Sequence, residues 1–215
     1  LLLLRALLRL RPNRAPEFVD AWHGSERSAR DFQLGAKGVE VKTTRGSRSR
    51  HHVHGVRQVE PGHSVSGAEE SRLFLLSVGI EPEAASSPGA QGWTLPSLLD
   101  DIIDLIGTRG DLQATVALLL GRVREYGADS GVGYDHSSMR DRVAFAVPWR
   151  TSFARLYDMG DAAISVLRTP DLAKFTMVEA DSLEFVIELP EQVHGDVNPV
   201  VGLTSAARAI LGIPS

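Results

Sequence analysis

A chain of 215 residues, 43% hydrophobic and 23% charged, is long enough for one sizeable core or for a core plus a small appendage, and has the composition of a soluble globular protein. Its formal net charge of −4 gives no whole-molecule attraction to nucleic acid, so such a partner would have to meet a local basic patch. With no cysteine it holds neither disulfides nor thiolate zinc sites, which fits a reducing cytoplasm.

In chain order, "LLLLRALLRLRP" comes first. Its apolar run is too short to span a bilayer, is broken by Arg5 and Arg9, and is followed by no small-residue cleavage site. The pattern predicts an amphipathic helix over about 1–11, stopped near Pro12. The chain opens on Leu rather than Met, and so reads as a fragment or processed chain whose upstream part is missing. "PNRAPEF" reads as a loop. A hairpin is expected over roughly 28–44, then a polar, basic segment, "TTRGSRSRHH", and a short strand in "HHVHGV". "SRLFLLSVGI" (71–80) is a continuous apolar run, the pattern of a buried strand. After the loop-like "EPEAASSPGAQG", "TLPSLLDDIIDLIG" predicts an amphipathic helix with Thr94 as N-cap and Gly107 at its end. A second helix follows over roughly 111–126. Strands are expected in "DRVAFAVPW" and "SLEFVIELP", and a last short helix around "TSAARAILG". The layout is mixed α/β, with no internal repeat.

The hairpin "RDFQLGAKGVEVKTT" (30–44) carries the chemistry. Residues two apart on a strand point the same way, so Glu40 and Lys42 share one face and Val39 and Val41 the other. A two-residue turn at Gly35-Ala36 would set Asp31 opposite Glu40; one at Ala36-Lys37 would set it opposite Lys42. Either register predicts one apolar face for the core and one charged face left over. Two carboxylates held close repel, and a hard divalent cation relieves that repulsion. A lysine beside them can hold an attacking water or neutralise charge on a phosphate, so the set is a kit for phosphodiester hydrolysis.

The spacing of Asp31 and Glu40-Val41-Lys42 resembles the PD-(D/E)XK nuclease superfamily, and the likeness extends to a bacterial family of restriction-associated PD-(D/E)XK proteins. The carriers are Trp22-His23-Gly24, Asp31-Phe32, "VEVKTT", Gln58, "LFLLSVG", "GWTLPSLLDDII" and "LEFVIEL". The resemblance implies a restriction-endonuclease-like α/β core, a mixed sheet flanked by helices, in residues 1–80. Residues 81–215 would add a helical segment and later strands as an extension of the same domain. It implies Asp31 and Glu40 as ligands of Mg²⁺, Lys42 as the catalytic lysine and Gln58 as a supporting polar residue. The function implied is Mg²⁺-dependent DNA cleavage in a bacterial restriction or phage-defence system, beside other defence-system proteins and without a membrane. RNA is a further substrate class compatible with it. Arg30 stands where the motif often has proline, and a first-helix glutamate common in the superfamily would precede Leu1. That departure keeps an alternative alive, a nuclease-like module that binds DNA or protein without cutting.

Other signals have simpler readings. Glu-x-Lys alone is common, and about one is expected by chance in a chain of this size. Arg45, Arg48 and Arg50, interleaved with hydroxyls, suit phosphate-backbone contact, although a solvated loop would have the same composition. His51, His52 and His54 lack a third ligand at zinc-site spacing. Asp100, Asp101 and Asp104 read as the solvated face of a helix. "TPDL" (169–172) has no Glu-x-Lys after it, and "GADSGVGYD" lacks the ending of a phosphate loop. Trp22, Trp93 and Trp149 read as packing residues.

Overall fold

Leucines at helical spacing decide the first element. Leu3, Leu4, Leu7 and Leu8 of α1 (Leu2–Leu10) are all buried, while Arg5 and Arg9 both reach the Asp101 carboxylate. The computed structural model describes residues 1–214 apart from 27, 29, 63–68, 84–91, 108–111, 127, 129, 130 and 132. Most of "EPEAASSPGAQG" and four positions of "GADSGVGYD" therefore lie outside the described residues.

Where the sequence suggested a loop at "PNRAPEF", the chain instead makes a 3₁₀ turn (Pro12–Arg14) and α2 (Ala15–Asp20). Pro16 sits in the first turn, where its missing N–H costs nothing, and Arg14 pairs with Glu17. α3 (Leu95–Ile106) starts at a reciprocal cap between Thr94 and Ser97 and ends at Gly107, whose φ of 90° favours glycine. It is followed by α4 (Gln113–Glu125) and the short α5 (His136–Met139). α1 packs on α3 and α2 on α4.

The strands are β1 (Phe32–Leu34), β2 (Lys37–Thr44), β3 (Ser49–His54), β4 (Arg72–Pro82), β5 (Trp149–Asp158), β6 (Glu184–Leu189) and β7 (Val200–Val201). Five form one mixed sheet in the order β1-β2-β4-β5-β7; β3 and β6 form an antiparallel ribbon. β1 and β2 are antiparallel, whereas β2 and β4 run parallel, with Glu40 beside Leu75 and Lys42 beside Ser77. "TPDL" is α6 (Thr169–Leu172), and α7 (Leu203–Leu211) is the expected last helix.

The strand expected in "DRVAFAVPW" is displaced. Val143–Phe145 is a 3₁₀ turn, and β5 begins only at Trp149. Pro148 cannot donate to a ladder, so the strand starts just after it.

The chain forms two compact units interleaved in sequence. One takes residues 1–27, 81–151 and 207–215; the other takes 28–80 and 152–206. The second unit holds the hairpin, completed by residues from the part read as an extension. Its core joins Val53, Ile187 and Leu189 of the ribbon to Leu73, Leu75 and Tyr157 of the sheet and to Met159 just after β5. No described helix is long and apolar enough to cross a membrane.

Candidate active site

Leu34 pairs with Lys37, which makes Gly35-Ala36 the turn, with Gly35 at a φ of 59°. Of the two registers open from sequence, this one aligns Asp31 with Glu40. Regular pairing stops at Phe32 and Val39. Beyond it the Asp31 N–H donates to the Val39 carbonyl at 3.1 Å, and its carboxylate accepts the Val41 N–H at 2.7 Å. Asp31 is thereby fixed against β2 from both its backbone and its side chain.

On β2, Lys42 Nζ lies 2.9 Å from Glu40 Oε1 and donates to Gln58 Oε1 at 2.7 Å. The same Gln58 oxygen accepts the His54 N–H at 3.0 Å, so β3 orients the amide that holds the lysine. Asp31, Glu40, Lys42 and Gln58 are thus brought into one neighbourhood.

The expectation of a charged face left over to solvent is corrected here. Glu40 is only 4% exposed, and the inward residues of β3, Ser49, His51 and Val53, are buried as well. Burial, then the nearby Asp31 charge, pushes the Glu40 carboxyl up to about 7, with Lys42 acting in the other direction. Burial also raises Asp31 above the ordinary range, opposed by the Val41 amide and by Lys42. Two carboxylates so disfavoured as anions form a strained pair that positive charge would relieve.

Two supports were invisible in the sequence. Arg30, the residue in the place of the motif's proline, makes a bidentate ion pair with Glu70 at 2.7 Å, both side chains fully buried. Two further N–H groups donate to the carbonyls of Arg57 and Glu60. A Cβ on Gly38 would lie 1.9 Å from Glu70 Oε2, so glycine there makes room for the pair. The second support is a buried polar chain. His51 Nε2 and Ser77 Oγ share a hydrogen bond at 2.7 Å, Ser77 donates to Ser49 Oγ at 2.9 Å, and Tyr157 lies 3.1 Å from the same oxygen. Burial, then the charge of Lys42, holds the His51 imidazole down at about 4. The polar Ser77 inside the apolar run "LFLLSVG" was the one local signal of this chain of bonds.

Arg45, Arg48 and Arg50 are exposed; Arg48 pairs with Glu188 at 2.9 Å, and Arg50 faces outward on β3. His52 and His54 share that outer face. Asp100 pairs with His136 and Arg140, and Asp101 with Arg5 and Arg9. Trp22 is buried, and Trp93 forms a backbone bridge with Trp149.

The donor set suits a hard cation. Among the described residues no group of three or more acids, histidines or cysteines could hold a metal, so Asp31 and Glu40 offer carboxylate oxygens alone. Mg²⁺ commonly uses one or two carboxylates and fills its octahedron with water and phosphate oxygens, and two carboxylates are what Asp31 and Glu40 offer. The profile of a family described as "Putative PD-(D/E)XK family member, (DUF4420)" matches residues 1–157. No curated protein and no solved structure matches the chain.

Proposed function

The chain belongs to that PD-(D/E)XK family, and from this premise we propose that it is a divalent-cation-dependent deoxyribonuclease of a bacterial restriction or phage-defence system. The observation that carries the reading is the buried pairing of Glu40 with Asp31 beside a lysine clamped between Glu40 and Gln58.

In this reading Asp31 and Glu40 hold Mg²⁺. The bound cation supplies charge neutralisation at the scissile phosphate and a more acidic water. Lys42, its ammonium aimed by Gln58 and Glu40, donates to the attacking water or to a non-bridging phosphate oxygen. His51, buried, stands near Lys42 without adding a charge. Arg45, Arg48 and Arg50 seat the strand through its phosphates.

A binding module without cleavage is the second reading. What favours it is the ion pair that already engages Glu40 with Lys42, together with the presence of only two acids at the site among the described residues.

Supercoiled-plasmid nicking separates the two. Mg²⁺-dependent nicking that falls by about 10²-fold or more in Lys42→Ala supports the enzyme. Nicking unchanged in that variant comes from a contaminant and sinks the proposal. Salt-sensitive retention of DNA with no cutting at any Mg²⁺ concentration favours the module.

A further inference from the structure

β3 begins at Ser49 just after Arg48, β5 carries Arg155, and the end of β6 leads through Glu188 and Pro190 to Glu191. These residues surround a cavity of about 410 Å³, and of them only Arg48 has been given a role above. The Arg155 guanidinium lies 4.4 Å over the Phe153 ring, which fixes its plane. It reaches Ser49 Oγ at 3.4 Å and Glu191 at 2.6 Å, with its side chain only 12% exposed. Arg48 also lines the cavity and pairs with Glu188 at 2.9 Å.

We propose that this cavity seats a backbone phosphate of the nucleic-acid strand, with Arg155 and Arg48 as its donors. The proposal rests on the nuclease reading for the identity of the strand, although the anion site can be tested apart from it.

First, guanidinium forks match phosphate oxygens bidentately. Second, the present partners are weak competitors. Glu191 and Glu188 are 75% and 45% exposed, and ion pairs of that kind contribute little. A phosphate can displace them, and their negative charge then disfavours any anion that lacks a second contact elsewhere. Third, the location fits. Ser49 Oγ is one hydrogen bond from Ser77, and Ser77 is the register neighbour of Lys42 on the adjoining strand. With strands about 4.8 Å apart, the cavity floor lies within about 10 Å of the Lys42 backbone.

The test is binding of a short fluorescein-labelled DNA duplex by anisotropy, in Ca²⁺ and across a salt series. Arg48→Ala removes an exposed side chain, and Arg155→Gln keeps a polar group in place. Each should weaken binding several-fold and flatten the slope of log K against log salt by about 0.9. Glu188→Gln combined with Glu191→Gln should tighten binding several-fold, and circular dichroism reports whether each variant is folded. Unchanged affinity and slope in folded Arg48→Ala and in the double glutamine variant overturn the proposal, even if Lys42→Ala has abolished nicking. Loss of duplex binding in the arginine variants upholds the site even if the wild type never nicks. If inorganic pyrophosphate or a mononucleotide binds through both arginines while duplex binding ignores them, the cavity takes a free phosphate ligand, and the assignment to a nucleic-acid backbone falls.

Discussion

Glu40 and His51 impose opposite pH dependences on the same fold. The Glu40 carboxyl, ordinarily near 4.5, is held at about 7 by burial and by Asp31. Between those values the unfolded chain has released its proton and the native one has not, so stability falls as pH rises, by on the order of 3 kcal/mol over the window. For His51 the ordinary 6.5 drops to about 4. There the unfolded imidazole binds a proton that the native one refuses, so its contribution is complete above 6.5 and is lost as pH falls toward 4. Across about pH 4.5–6.5 the two slopes oppose each other, and together they leave the wild type nearly flat. Glu40→Gln should expose the His51 slope, with stability rising by up to about 1.4 kcal/mol per pH unit. His51→Gln should show the reverse slope. Urea midpoints measured across this range decide it; three parallel profiles would mean that neither environment is as described.

At the scale of elements, the junction of β1, β2 and β4 depends on an absent side chain. Gly38→Ala pushes a methyl into the fully buried Arg30–Glu70 pair. Breaking such a pair leaves an uncompensated buried charge and should cost roughly 3–5 kcal/mol in chemical denaturation. Gly121, inside α4, is the contrast. Its Cβ would meet nothing within 4 Å, so Gly121→Ala should stabilise by about 0.5–1 kcal/mol through helix propensity. Equal effects of the two substitutions would refute the packing argument. The elements themselves were largely legible. α1, α3, α4, β2, β4 and β6 stand close to where periodicity and capping put them, because those signals are local. The misses have local causes of another kind. Pro16 sits in the first turn of α2 where a loop was expected, and Pro148 postpones β5 to Trp149.

For the whole molecule, the interleaved units mean that residues 152–206 complete the body in which Asp31, Glu40 and Lys42 sit. Occupancy of that site therefore registers in global stability. Anything that binds the native state alone, at 100 times its Kd, adds about 2.7 kcal/mol. Mg²⁺ should raise the melting temperature of the wild type by several degrees and leave Asp31→Asn unmoved. The shift should be larger at pH 8 than at pH 6, because below about 7 a proton competes for Glu40. An equal shift in Asp31→Asn would place the cation elsewhere.

From the sequence alone, the alternation in "VEVK" determined that Glu40 and Lys42 share a face, and the glycine at position 35 limited Asp31 to one of two registers. Tertiary structure chose between those registers and laid the buried residues of β3 close to a face that periodicity had assigned to solvent. It also supplied Glu70 to Arg30 across 40 residues and Ser77 to His51 across 26. A two-residue repeat records which side of its own strand a residue occupies. Which segment covers that side depends on how distant strands bury their apolar area together, and no local pattern encodes that.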